Sequence, residues 1–162
     1  MTETKLRSVF DVNVYVDAIV GPDSYFPLIE SVPPKTSNSA MDAFSLAYDG
    51  DAFALYASPH IVRNVGRVFK TLGVSDDTTQ KVVETMIELI HFSGGSVVEP
   101  DRTVYDIPDF EDNLILDLVK AVDALVLVTS DKDLLSVSPW NHRLIMKPRD
   151  FVAKIVGMKA RY

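Results

Sequence analysis

The chain has 162 residues, a length that suits one domain, and 47% of them are hydrophobic, enough for a buried core. It contains no cysteine, which excludes disulfides and thiolate metal sites, so any metal must be held by oxygen or imidazole ligands. No run approaches the roughly 20 apolar residues of a membrane span, and the polar N-terminus lacks the apolar stretch of a signal peptide. We therefore predict a single domain over residues 1–162 in the cytoplasm, with no membrane partner.

Charge is distributed unevenly along the sequence. The formal net charge of −7 argues against a protein that coats nucleic acid by bulk electrostatics. Between Arg143 and Tyr162, however, six basic residues stand against one acid, so the rest of the chain carries about −12. This distribution fits a metal-binding centre beside a phosphate-contacting edge, and it fits ordinary surface charge equally well.

The first part of the chain is predicted to alternate strands and helices. In order, the elements are a strand at 9–10, a helix over 13–20, a helix over 39–48 capped by Ser39, a strand over 53–57 and a helix over 59–72 capped by Ser58. The segment 21–38 contains four prolines, which forbid a continuous helix. We predict that it is a long loop insertion, since loops of this length in compact domains are often functional; disorder is the alternative.

The alternation continues to the end of the chain. The elements are a helix from Ser75 to about 92, a short strand at 97–98, an amphipathic helix after 109–112, a buried strand over 124–129, a short helix after Ser130, a strand over 143–146 and a helix opening at Pro148. Such alternation predicts an α/β fold with a mainly parallel central sheet of about four to five strands and helices on both faces.

Three aspartates are expected to meet at one edge of this sheet. Asp11 and Asp131 each follow a predicted strand, and Asp112 lies in the first turn of the helix before the second of these strands. Ligands of open parallel sheets bind at the carboxyl ends of the strands. Taken singly, Asp112 or Asp131 is more often a helix-capping residue.

Their convergence is the argument for a metal site. Two carboxylates about 4 Å apart repel by about 4 kcal/mol at an effective dielectric near 20, so a fold that gathers three must compensate them with protons or cations. Oxygen ligands favour Mg²⁺ or Mn²⁺, and magnesium is often completed by substrate phosphate.

Three motifs resemble those of PIN domains. Val9 to Val16 resembles the family's opening strand followed by D-x-N, Ile107 to Asn113 its central D-x-x-D-N, and Leu127 to Leu135 its V-T-x-D-x-D-L-L. The resemblance covers nearly the whole chain in order, and it is nearest to the bacterial VapC-like group of toxin components. It implies a metal-dependent endoribonuclease acting on single-stranded RNA, with an antitoxin partner and a homodimer as further expectations.

The resemblance also assigns roles to individual residues. It implies that Asp11, Asp112 and Asp131 are catalytic metal ligands and that Asp133 is an accessory acidic ligand. Asn13 and Thr129 would hold these ligands or a water molecule from behind.

One position departs from the family pattern. Asn64, or Arg63 if the register slips by one residue, stands where PIN domains usually place a glutamate in the helix after the second strand. Asparagine offers a carbonyl oxygen but no charge, so a second metal is in doubt and catalysis is weakened or lost. Asp109 is either a partial substitute or a helix cap. A PIN-fold module that binds RNA or protein without catalysis is therefore the alternative function.

Other residues carry weaker hypotheses. Arg63, Arg67 and Lys70 share a helix face and form either a phosphate track for RNA or a solvated face. We interpret Trp140 as a loop anchor, with base stacking as the alternative. The histidines are interpreted as surface or structural residues because they show no metal or triad spacing: His60, His91 and His142. A phosphatase with D-x-D is disfavoured because Asn13 occupies the second acidic position.

Overall fold

Parallel strands form the centre of the fold. A computed structural model describes residues 5–22, 24 and 36–159, and within them the sheet contains β1 (Arg7–Phe10), β2 (Ala54–Tyr56), β3 (Val126–Val128) and β4 (Leu144–Met146). The order across the sheet is β2-β1-β3-β4, and every neighbouring pair is parallel. The predicted α/β fold with a parallel sheet is confirmed, with four strands in the described residues.

Helices flank this sheet. They are α1 (Val12–Val20), α2 (Ser39–Leu46), α3 (Pro59–Thr71), α4 (Asp76–Phe92), α5 (Phe110–Ala121), α6 (Lys132–Leu135) and α7 (Pro148–Lys159). Every residue of β3 is buried, as expected for a central strand whose two faces are both covered by helices. Within the described part of the chain, every helix is too short or too polar to cross a lipid bilayer.

The helix starts follow local capping chemistry. The hydroxyl of Ser58 accepts a hydrogen bond from the Ile61 amide at 3.2 Å, so the predicted cap of α3 is confirmed. The prediction that Ser39 caps α2 is wrong, because the cap is Asn38, whose side chain accepts from the Met41 amide at 3.0 Å. Asp42 lies in the first turn of α2, and its carboxylate accepts hydrogen bonds from the amide and hydroxyl of Thr36.

The predicted strand at 97–98 is also wrong. Val97 forms only an isolated parallel bridge with Ala57, at the end of β2. The ladder cannot continue far, because Pro100 has no amide hydrogen to donate. Just before the bridge, the backbone at Gly95 lies so close to β2 that a Cβ there would stand 1.7 Å from the Leu55 carbonyl oxygen.

Aromatic rings fill the core beside the sheet. Phe10 of β1 meets Phe151 of α7 edge-on at 5.4 Å between ring centroids, and Phe53 meets the same ring at 4.9 Å. The C-terminal helix is therefore anchored on the first strand. Trp140 is buried and its indole N–H donates to Asp106 at 2.9 Å, in agreement with the predicted loop anchor. Most of the predicted 21–38 insertion, namely 23 and 25–35, lies outside the described residues.

Candidate metal centre

The order in which the chain adds strands to the sheet reverses at the centre of the sheet. From β1 the chain moves first to β2 on one side, and then returns to β3 on the other side of β1. Such a switch point opens a crevice at the carboxyl ends of the two central strands. Asp11 follows β1 directly, and its amide donates to the Val128 carbonyl of β3 at 2.9 Å. The first aspartate therefore lies at the mouth of this crevice.

A cavity of about 300 Å³ occupies the crevice, and we refer to it as the acidic cavity. Its acidic lining residues are Asp11, Asp17, Glu111, Asp112 and Asp131. Among the described residues, a single arginine, Arg67, joins them, and its guanidinium lies 3.5 Å from the Glu111 carboxylate. The cavity therefore gathers more negative charge than the described side chains neutralise.

Three carboxylates are close enough to share one ion. Asp112, Asp131 and Asp133 each offer an oxygen, and these oxygens lie within 4.8 Å of one another. Asp131 caps the short helix α6 by accepting from the Asp133 amide at 2.8 Å, so the cap also fixes the spacing of the two carboxylates. Asp133, to which the resemblance assigned an accessory role, therefore belongs to this carboxylate cluster.

Asp11 is held by a separate hydrogen-bond network. Its carboxylate accepts from the Val12 amide at 2.7 Å, from the Thr129 hydroxyl at 2.7 Å and from the Asn13 amide group at 3.1 Å. The Thr129 oxygen also accepts from the Asp131 amide at 3.0 Å. Thr129 therefore links the ends of β1 and β3. Asn13 and Thr129 both donate to the Asp11 carboxylate, and their role in holding a metal ligand stays a prediction.

Burial and mutual repulsion shift the titration of these acids. Burial, followed by the nearby carboxylates, raises the pKa of Asp112 to about 7; these carboxylates belong to Asp131, Asp109, Asp11 and Asp133. Burial likewise raises the pKa of Asp11, although hydrogen bonds from Thr129 and Val12 oppose the shift. The cavity thus favours either protons or a cation over bare carboxylates.

The residues present fit a divalent cation. All three clustered donors are carboxylate oxygens, which suit Mg²⁺ or Mn²⁺. Opposite ligands of an octahedral magnesium ion lie about 4.2 Å apart, at bonds of ~2.1 Å, so carboxylates within 4.8 Å of one another would need only a small movement to share the ion. Among the described residues, no basic side chain forms an ion pair with Asp112, Asp131 or Asp133, so an ion would meet no competing cation.

Helix α3 forms the wall opposite the aspartates. Asn64 lines the acidic cavity, and its amide nitrogen lies 2.8 Å from Nε2 of His60, one turn earlier. The position expected to carry an acid therefore carries a neutral pair. Burial lowers the pKa of His60, opposed mainly by Glu111, so the imidazole is neutral at pH 7. Asn64 can still present its carbonyl oxygen to the cavity.

Three residues of the acidic cavity were not among the site residues predicted from the sequence. His60 was interpreted as surface or structural, yet it lines the acidic cavity, as do Asp17 and Glu111. The available signal was helical spacing: His60 lies four residues before Asn64, and Asp17 four after Asn13, which places each pair on one helix face. Asp109 lines a neighbouring cavity and caps α5, accepting from the Glu111 amide at 2.8 Å and the Asp112 amide at 3.1 Å.

The three basic residues of the predicted phosphate track do not line the same cavity in the structure. Arg67 lines the acidic cavity, whereas Arg63 lines a mainly apolar groove with Val62, Ile87 and His91. Lys70 is exposed and lines neither cavity. The three basic residues share one helix but do not face one site, so RNA contacts by Arg63 and Lys70 stay predictions without support from this geometry.

The fold and the site together define a class of protein: a parallel α/β protein with an acidic, cation-competent crevice at its switch point. A family model of the PIN domain matches residues 7–133, which is more than half of the chain. The protein therefore belongs to the PIN-domain family. PIN domains are generally nucleases and typically use divalent metals. No curated protein and no solved structure matches the chain, and the VapC-like subgroup stays a prediction.

Proposed function

We propose that this protein is a Mg²⁺- or Mn²⁺-dependent endoribonuclease that cleaves single-stranded RNA. The observation that carries the proposal is the clustering of Asp112, Asp131 and Asp133 within 4.8 Å beside the buried Asp11. Two separate segments supply the cluster, the start of α5 and the start of α6. PIN-family membership supports the nuclease chemistry.

The chain's own residues would divide the work in the following way. Asp112, Asp131 and Asp133 would hold the cation, and Asp11 would contact it or the attacking water from the floor of the cavity. Asn13 and Thr129 would keep Asp11 oriented through their hydrogen bonds. A bound divalent cation supplies Lewis-acid polarisation of the phosphodiester and lowers the pKa of water. Arg67 would offset the charge of an entering phosphate.

The test is cleavage of a fluorescent single-stranded RNA in the presence of Mn²⁺. We expect Asp112→Asn and Asp131→Asn each to lower the cleavage rate by at least ~100-fold while the fold persists. Asp11→Asn should behave in the same way. Asp101→Asn is the matched control, since Asp101 is exposed and lines neither the acidic cavity nor its neighbours. Undiminished cleavage in the site variants would exclude this centre.

A second function is favoured by one observation. Asn64, and not an acid, faces the aspartates, with its amide engaged by His60. A neutral residue at this position is what we expect of a PIN fold that binds RNA or a protein partner without efficient cleavage. Titration calorimetry with Mn²⁺ separates the two functions: Asn64→Glu should raise Mn²⁺ affinity if the centre is merely weakened. Absence of Mn²⁺ binding in both forms would favour the binding module.

We further propose a biological setting for this activity. A toxin component paired with an antitoxin fits the resemblance to VapC-like proteins, and a cytoplasmic location fits the cysteine-free composition. Induced expression should then arrest growth, and co-expression of an adjacent small reading frame should relieve the arrest. Growth arrest that persists in Asp112→Asn would argue against RNA cleavage as its cause. Sedimentation analysis tests the expected homodimer.

A further inference from the structure

A second groove lies next to the acidic cavity. It has a volume of about 330 Å³ and is lined by Lys147 and Arg149, together with Asp17, Ser130, Asn38 and Ser39; we refer to it as the basic groove. Asp17 lines both spaces, and Ser130 directly precedes Asp131 of the carboxylate cluster. The two spaces are therefore neighbours along the carboxyl edge of the sheet.

The basic groove holds two of the six basic residues of the segment 143–162. Within that segment, Arg143 pairs with Asp123 at 2.8 Å, and Lys159 pairs with Asp49. Lys147 and Arg149 form no ion pair with any residue that the structure describes, and both are exposed. Two cations thus stand against one acid here, in a chain whose net charge is −7.

Local backbone geometry adds positive potential to the same groove. Helix α7 starts at Pro148, between the two basic residues, and α2 starts at Ser39 across the groove. The helix dipole favours negative charge at these ends, although Pro148 has no amide hydrogen and the Met41 amide of α2 already donates to Asn38. Ser130 and Ser39 add hydroxyl donors. The two cations and the hydroxyls together match the oxygens of a phosphate group.

We propose that the basic groove binds a backbone phosphate of the single-stranded RNA whose cleavage site occupies the acidic cavity. The inference rests on the proposed ribonuclease function and names the surface that holds its substrate. The acidic cavity repels a polyanion except where a cation is bound, so the substrate needs an attractive contact nearby. Lys147 and Arg149 supply that contact one cavity away from the cluster.

The test compares two double variants with equal net charge. One is Lys147→Gln with Arg149→Gln; the control is Lys81→Gln with Lys120→Gln, which are exposed lysines outside the basic groove. Binding of a fluorescein-labelled 12-nucleotide oligouridylate is measured by anisotropy in EDTA, which prevents cleavage, at several KCl concentrations. Cleavage of the same RNA is measured separately with Mn²⁺, and thermal melts check that all proteins fold.

The groove variant should bind the RNA roughly 10-fold or more weakly at low salt, and the salt slope of log Kd should fall by about 0.7, because the contact with one backbone phosphate is lost. Its KM in Mn²⁺ should rise with little change in kcat, because uniform binding is lost. The control should stay within about 2-fold of wild type.

Two failures can be told apart. Equal affinity and salt slope in the groove variant and the control would overturn the groove, even if the wild type cleaves RNA. RNA that stays uncleaved by the wild type in Mn²⁺ would overturn the ribonuclease, whatever the groove does. A wild type that fails to bind the RNA at all would overturn both.

Discussion

Asp112 is a residue of the site on which burial and repulsion by neighbouring carboxylates act together. It is buried, it faces other carboxylates, and its pKa is raised to about 7. In the metal-free protein the folded state therefore keeps a proton on Asp112 over a pH range in which the unfolded chain has lost it. Where the folded state binds more protons, stability falls as pH rises.

The fall in stability with rising pH that is due to Asp112 can be tested with a variant that cannot titrate. In EDTA, Asp112→Asn should become progressively more stable relative to wild type as pH rises from 5 to 7, with little further change above that range. The comparison with wild type matters because the lowered pKa of His60 acts in the opposite direction, adding stability as pH rises. Urea unfolding at several pH values measures the difference. A constant difference between pH 5 and 7 would contradict the raised pKa of Asp112.

Thr129 is the second residue with a sharp expectation. It is fully buried, donates to Asp11 and accepts from the Asp131 amide. Thr129→Val keeps the shape but removes these two hydrogen bonds and a third, which the hydroxyl oxygen accepts from the Asn13 side-chain amide at 3.3 Å, so we expect a loss of about 1–3 kcal/mol in the free energy of unfolding. Mn²⁺ affinity should also fall, because two acids lose their common support.

Thr129→Ser supplies the matched control, since it keeps the hydroxyl and removes one methyl group, worth about 0.8 kcal/mol. Calorimetry should find its Mn²⁺ affinity near that of wild type. If serine and valine lower the affinity equally, packing and not hydrogen bonding positions the acids.

At the level of elements, one contact joins the turn after α4 to the edge of the sheet. Gly95→Ala would place a methyl group 1.7 Å from the Leu55 carbonyl oxygen of β2, so the backbone must move. We expect a loss of more than about 3 kcal/mol in the free energy of unfolding, or failure to fold. Because α3 begins just after β2, the His60–Asn64 wall should move as well.

Gly66→Ala is the control for that change. Gly66 lies inside α3, and a Cβ there would meet no atom within 4 Å. Alanine is the better helix former, so the variant should gain about 0.5–1 kcal/mol. Urea unfolding of both variants tests the pair. Equal effects at the two glycines would contradict the close approach at Gly95.

At the level of the whole molecule, cation binding should stabilise the fold. An ion that binds only the folded state adds about 2.7 kcal/mol at 100 times its Kd. For a chain of this size, that shift corresponds to a rise of roughly 5–10 °C in Tm. The double variant Asp112→Asn with Asp131→Asn should show no rise with Mn²⁺, whereas Asp101→Asn should match wild type. An equal rise in all three proteins would place the ion elsewhere.

Prediction from sequence succeeded where the signal was local. Buried strands ending in Asp11 and Asp131 were recognised because apolar runs and the acids after them are adjacent in the chain. The cap at Ser58 was predictable for the same reason. The errors at Ser39 and Val97 arose from neighbouring residues with a competing role: Asn38, one residue before Ser39, caps α2, and Pro100 interrupts the ladder after Val97.

The sequence by itself determined the parallel α/β architecture and the aspartates at its carboxyl edge, since strand periodicity and strand ends are properties of short segments. Only the tertiary structure decided what surrounds those aspartates. It placed Asp133 in the carboxylate cluster, brought His60 and Asp17 into the acidic cavity, and set Lys147 and Arg149 in a groove beside it. These neighbours come from elements distant in sequence, and their meeting depends on how the helices pack against the sheet.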